Sequence, residues 1–237
     1  MMAHHDSKSQ RIPLTARVIV STCALLWLIF FCFILFMQIL LRSFAAESLT
    51  ALGWATLLAA ALLVFGALLF DEGNRSPGAM DNGTGVAVLL GLARRLAQNP
   101  PSSNVWLVAT GAEEEGLQGS IHFARKYASG LPRERTLVLN LDMVGGSGAI
   151  LILDRQGIPP KGTGQALARE LERLCRDKGI GCSRIWLALG AGADHLPFGV
   201  RGYESVTISR GKLLTDFRTI HSTRDTWERV DEKSMEE

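Results

Sequence analysis

Residues 18–41 read VIVSTCALLWLIFFCFILFMQILL and residues 49–70 read LTALGWATLLAAALLVFGALLF, two runs without a charged residue or a proline. A helix needs about 20 consecutive apolar residues to cross a bilayer, and each run reaches that length. A signal peptide would explain one run but not both, and buried helices of a soluble domain normally carry a polar stripe. The pattern predicts a two-helix transmembrane hairpin. Its short connection, Arg42 to Ser48, puts both outer ends on one side, so residues 1–17 and 71–237 are expected to share a compartment. Lys8, Arg11, Arg17 and Arg75 flank those outer ends, whereas the connection holds Arg42 with Glu47. That charge bias places the non-membrane parts on the cytoplasmic face of an integral membrane protein.

The expected organisation is thus an N-terminal segment, 1–17, a hairpin, 18–70, and a main domain, 71–237. The 25 Lys and Arg nearly balance the 23 Asp and Glu, which offers no argument for a nucleic-acid partner. Cys23 and Cys32 lie in the first apolar run, leaving Cys175 and Cys182 beyond it. That is neither a disulfide framework nor a pair of CxxC zinc knuckles, so a metal site here must use His and carboxylate.

Beyond residue 71, turn-rich and periodic segments alternate. NRSPGAMDNGTG reads as a loop, with Thr84 as the cap of the helix GVAVLLGLARRLAQN that follows. VWLVAT is a strand ending in the acidic turn GAEEEGLQGS, and SIHFARKYA is a helix. LVLNLD, AILILD, RIWLAL and ESVTIS follow as strands, and GQALARELERLCRDKG is an amphipathic helix. Alternation of this kind predicts an α/β fold whose site lies beyond the carboxyl ends of the strands.

Polar residues at those ends carry the chemistry. Asp142 closes LVLNLD, where an acid costs desolvation unless it is paired or bound to a cation. Glu113, Glu114 and Glu115 directly follow an apolar strand, although the helix dipole alone favours acids in a first turn. Asp81 sits in a loop where Asp is common for conformational reasons. His4 and Asp6 in AHHDS, Asp194 and His195 in GADHLPFG, and His221 in IHSTRDT complete the set. Gathering several carboxylates in one crevice raises their pKa values unless cations compensate. Mixed His and carboxylate ligands suit zinc, and a shared carboxylate can hold two ions about 3.5 to 4 Å apart.

AHHDS, SPGAMDNGTG, GAEEEGLQGS, NLDMVG, GADHLPF and IHSTRDT resemble, in this order, the motifs of the di-zinc aminopeptidases, the family-28 metallopeptidases that also include glutaminyl cyclases. The resemblance implies a three-layer α/β sandwich around a mixed, mostly parallel sheet, here interrupted by the hairpin. It implies a zinc-dependent hydrolase, an aminopeptidase acting on a peptide or small amide with two Zn2+ ions. Motif by motif, His4, Glu114 and Asp81 resemble the ligands of one ion, and Asp142, His221 and Asp81 those of the other. Glu113 resembles the general base, Asp6 the carboxylate supporting His4, and Asp194 an acid that either supports a ligand or faces the substrate. His5, His122 and His195 fall outside the ligand pattern.

Two departures from the family pattern stand out. The family has a strand and further sheet upstream of its first ligand, so a chain starting at Met1 resembles an N-terminally truncated member. The hairpin between His4 and Asp81 is the other. The rival readings are a glutaminyl cyclase-like acyltransferase and a non-catalytic, membrane-tethered binding protein with a degenerate site.

Overall fold

The computed structural model of this chain describes residues 1–10, 14–41, 53–56, 58–59, 62, 72–187, 192–212, 216 and 218–236. These fall into two compact units, Met1–Ser9 with Asn74–Glu237, and Gln10–Gly73.

The first unit is built on one mixed sheet. Strands β1 (Met2–His4), β4 (Val108–Thr110), β5 (Leu137–Leu141), β6 (Ile150–Gln156), β7 (Lys161–Gly162), β8 (Cys182–Leu187) and β9 (Glu204–Arg210) run in the order β4-β1-β5-β9-β6-β7, with β8 also on β6. β1 is parallel to both β4 and β5, and β5 is parallel to β9. β6 runs parallel to β8 but antiparallel to β9 and β7. His4 therefore ends an inner strand flanked on both sides.

Helices cover both faces of this sheet, and the alternation of strand side chains shows which helix covers which face. Met2 packs with Ala124 of α3 (Gln118–Tyr127), Phe198 of α5 (Leu196–Gly199) and Val138. Its neighbour Ala3 points the opposite way, to Leu89 of α2 (Thr84–Gln98) and Leu141. Val206, in register with Leu139, packs with Ile152 against Ala168 of α4 (Gln165–Asp177), on the face that α2 covers. Helices α2, α3 and α4 were legible as runs of helical period, because each buries one stripe on the sheet, whereas the four-residue α5 was not.

The second unit is entered through β2 (Ser9–Gln10) and left through β3 (Glu72–Gly73), which pair as a two-stranded ribbon. The first apolar run forms helix α1 (Leu14–Leu41). Most of the second run, and the whole connection between them, lie outside the described residues. Among the described residues no helix is long and apolar enough to cross a membrane. The transmembrane hairpin, the lipid-bilayer partner and the integral-membrane localisation with its cytoplasmic catalytic face are corrected on that ground. Apolar composition had specified only that these residues avoid water.

Candidate metal centre

Three adjacent parallel strands deliver acids and a histidine to one end of the sheet. His4 is the last residue of β1 and fully buried. Asp142 directly follows β5, and Glu113 and Glu114 lie just past β4. Asp81 comes from the tight turn Ala79–Gly83 that precedes α2, and His221 from the segment after β9.

His4 Nε2 lies 3.3 Å from Asp81 Oδ1 and 3.6 Å from Asp142 Oδ1. His221 Nε2 lies 3.0 Å from Asp81 Oδ2 and 2.9 Å from Glu114 Oε1. The result is two triads, His4 with Asp81 and Asp142, and His221 with Asp81 and Glu114. Asp81 turns one oxygen to each. The family resemblance had implied His4 with Glu114 and Asp142 with His221, so the partners are exchanged. Sheet order explains part of the exchange: β1 pairs with β5 through Met2 and Asn140, which brings His4 beside the residue that follows β5.

The charges are strongly coupled. Burial works against a charged His4, yet the carboxylates of Asp142, Asp6 and Asp81 hold its pKa far above the usual imidazole range. Burial likewise opposes a charged His221, but Asp81 and Glu114 lift it to about 9. Burial raises Asp142, while His4 pulls it partly back. Asp81, although buried, is held below the carboxylate range by His221 and His4. Glu113 is pushed up to about 9, first by burial and then by the negative charge of Asp142.

His4 Nε2 and Glu114 Oε1 are buried without a hydrogen-bond partner. Such atoms are costly unless something binds them. One imidazole and two carboxylates in each triad form a donor set that suits a divalent ion such as zinc, so the residues present fit the group the sequence implied.

Side chains around the triads hold the backbone of the triad residues. Asp6 accepts from Glu113 N at 3.2 Å and from Glu114 N at 3.1 Å, one bond to each carboxylate oxygen. Those bonds and His4 hold its pKa at about 2, against the effect of burial. His4 Nδ1 faces the Asp6 backbone carbonyl at 3.1 Å and the carboxylate at 3.6 Å. Two further struts were missed in the sequence. Fully buried Asp225 accepts from Met80 N at 2.7 Å and from Asp81 N at 3.2 Å, and its carbonyl accepts from Ala79 N. Asn82 donates to Leu141 O and accepts from Gly85 N and Met143 N. Both sat inside motifs already singled out, HSTRDT and DNGTG, where their turn-forming types were the available signal. Thr84 does not cap α2 as expected; its hydroxyl donates back to Met80 O.

Ala112, Met143 and His221 adopt left-handed backbone, which is rare away from glycine and here adjoins or coincides with site residues. Asp194 is fully buried: Oδ2 accepts from Thr110 Oγ1 at 2.5 Å, and Oδ1 has no partner. His195 belongs to neither triad; burial lowers its pKa to about 3, and Nδ1 contacts Thr207 Oγ1 at 2.7 Å. His5 and His122 are exposed and also outside both triads.

A mixed sheet that collects two triads of His and carboxylate beyond its strand ends, sharing one acid, defines an α/β protein with a candidate metal-binding cluster at that end. Residues 59–237 match Peptidase family M28. The chain is 30% identical over 176 residues to aminopeptidase YwaD of Bacillus subtilis (strain 168), an alignment covering 71% of this chain and 37% of that protein. The chain belongs to peptidase family M28. BSAP, a zinc aminopeptidase from Bacillus subtilis, superposes with a TM-score of 0.54 at 28% identity, covering 69% of this chain and 40% of that one. An Acidobacteriales bacterium glutaminyl cyclase shares the fold, with a TM-score of 0.52 at 20% identity over 67% of this chain and 57% of that one. This chain therefore spans less than half of either Bacillus relative's length. His4 and Asp6 precede the matched residues and join the site through β1.

Proposed function

We propose that this chain is a zinc-dependent metallopeptidase that hydrolyses peptide or related amide bonds as an aminopeptidase, using two ions. The observation that carries the reading is the division of Asp81, whose Oδ1 faces His4 and whose Oδ2 faces His221. His4, Asp81 and Asp142 would hold one ion, and Asp81, Glu114 and His221 the other. A divalent ion in such a place supplies Lewis acidity toward a carbonyl oxygen and makes water more acidic.

The chain's own groups do the rest. Glu113 adjoins the ligand Glu114 without belonging to either triad, which leaves its carboxylate available to take the proton of the attacking water and pass it to the departing amine. Burial and Asp142 raise its affinity for that proton, and nearby cations act in the opposite sense. Asp6 is a positioning residue, because both its oxygens are used on the backbone of Glu113 and Glu114. Asp194 keeps one buried oxygen without a partner, which suits it to meet the cationic amine of a substrate.

The test is hydrolysis of aminoacyl anilides and short peptides by the purified chain, with metal content measured in parallel. Near two equivalents of zinc, loss of turnover on chelation and recovery on zinc addition are expected. Zinc binding without turnover on any amine-terminated substrate would sink the peptidase reading, and ammonia release from N-terminal glutamine would replace it with the cyclase.

A further inference from the structure

The two triads differ in what else touches their acids. In the first, Asp81 and Asp142 face the imidazole of His4. In the second, the carboxylate of Glu114 is split: Oε1 faces His221 at 2.9 Å, and Oε2 lies 3.3 Å from the ammonium of Lys8. Lys8 also donates to the Glu114 backbone carbonyl at 3.0 Å. Both partners are largely buried, the Lys8 side chain 18% and the Glu114 side chain 7% exposed, so solvent screens their charges incompletely.

We propose that Lys8 sets the affinity of the second site. Its ammonium is a built-in counter-cation that competes with an ion at Asp81, Glu114 and His221, and it makes that site the weaker and more exchangeable of the two. The proposal rests on the two-ion reading above. An ammonium and a divalent ion drawing on opposite oxygens of one carboxylate repel each other, and partial screening leaves an effect of roughly tenfold or more on binding. Lys8 also braces Glu114 through its carbonyl, and that effect has the opposite sign. A mere brace, once removed, would loosen the second ion, whereas a removed competitor tightens it.

The experiment uses the full chain, stripped of metal and titrated with zinc against a chromogenic chelator. It compares the unaltered protein with Lys8→Met, which keeps the apolar stem, with Lys8→Gln in case Met disturbs folding, and with Lys8→Arg, which keeps the charge. The unaltered protein is expected to bind two zinc ions with unequal affinity. Lys8→Met and Lys8→Gln should tighten the weaker step about tenfold and leave the stronger unchanged, while Lys8→Arg should behave like the parent. Equal affinities in the parent, or a weaker step unchanged or loosened by Lys8→Met and Lys8→Gln, would overturn the role of Lys8. Fewer than two equivalents bound by every form would instead overturn the two-ion reading, and this inference with it.

Discussion

The two triads share Asp81 but are built by different means. The first is held by the sheet: His4 ends β1, Asp142 follows β5, and the register of paired strands sets their spacing. The second is held by loops: Glu114 lies in a turn whose N–H groups are gripped by Asp6, and His221 sits in left-handed backbone on a segment tied to the Asp81 turn by Asp225. A ligand on a paired strand is placed by many backbone bonds, whereas a loop ligand depends on a few side chains. The sheet-held triad should therefore be preformed and tight, and the loop-held triad adjustable.

The strongest attempt to erase the distinction is Asp81→Ala, which should remove both ions and bring hydrolysis to background. Retention of one zinc equivalent would show that Asp81 serves a single triad. Glu113→Gln comes next, with an expected loss of on the order of 10²- to 10⁴-fold in rate while metal content stays at the parent level. Glu114→Gln should instead release one ion. Equal metal loss in the two variants would place both acids in the same role.

Asp225→Asn sharpens the comparison, since it weakens the strut without touching a ligand atom. Zinc affinity should drop about 10- to 100-fold, and more for the loop-held site than for the sheet-held one. An even loss over both sites, measured by stepwise chelator competition, would contradict the division. Smallest in effect is zinc itself. At about 100 times its Kd it should stabilise the fold by about 2.7 kcal/mol and raise the melting temperature by roughly 5 to 10 °C. Amide exchange should slow more around His221 than along β1, and a uniform response would count against an adjustable loop.

Much of this architecture can be read from the sequence, for identifiable reasons. Runs such as Leu137–Leu141 and Gln165–Asp177 declare strand and helix because burial imposes a period of two or of 3.6. Asp142, Glu113 and Glu114 are conspicuous because they stand at or just past the ends of apolar strands. Which ligand meets which is not legible, since sequence order does not say how far the turn after Thr110 swings Glu114 away from His4. Asp225 escapes notice for a similar cause: its work is done on the backbone of residues far earlier in the chain, and nothing local marks it. The apolar runs misled because hydropathy measures avoidance of water, not the medium that replaces it.

The strut from Asp225 to the Asp81 turn also bears on how such a chain tolerates change. His4 and Asp81 come within 3.3 Å, yet the whole of Gln10–Gly73 separates them in sequence. Because closing a longer loop adds entropy cost only logarithmically, and because the geometry is fixed by through-space bonds rather than by the intervening chain, that stretch is free to lengthen, shorten or be exchanged in evolution. The Asp81 turn answers to a residue near the other end of the chain, so an engineer could replace Gln10–Gly73 with a short linker and keep the ligands in register.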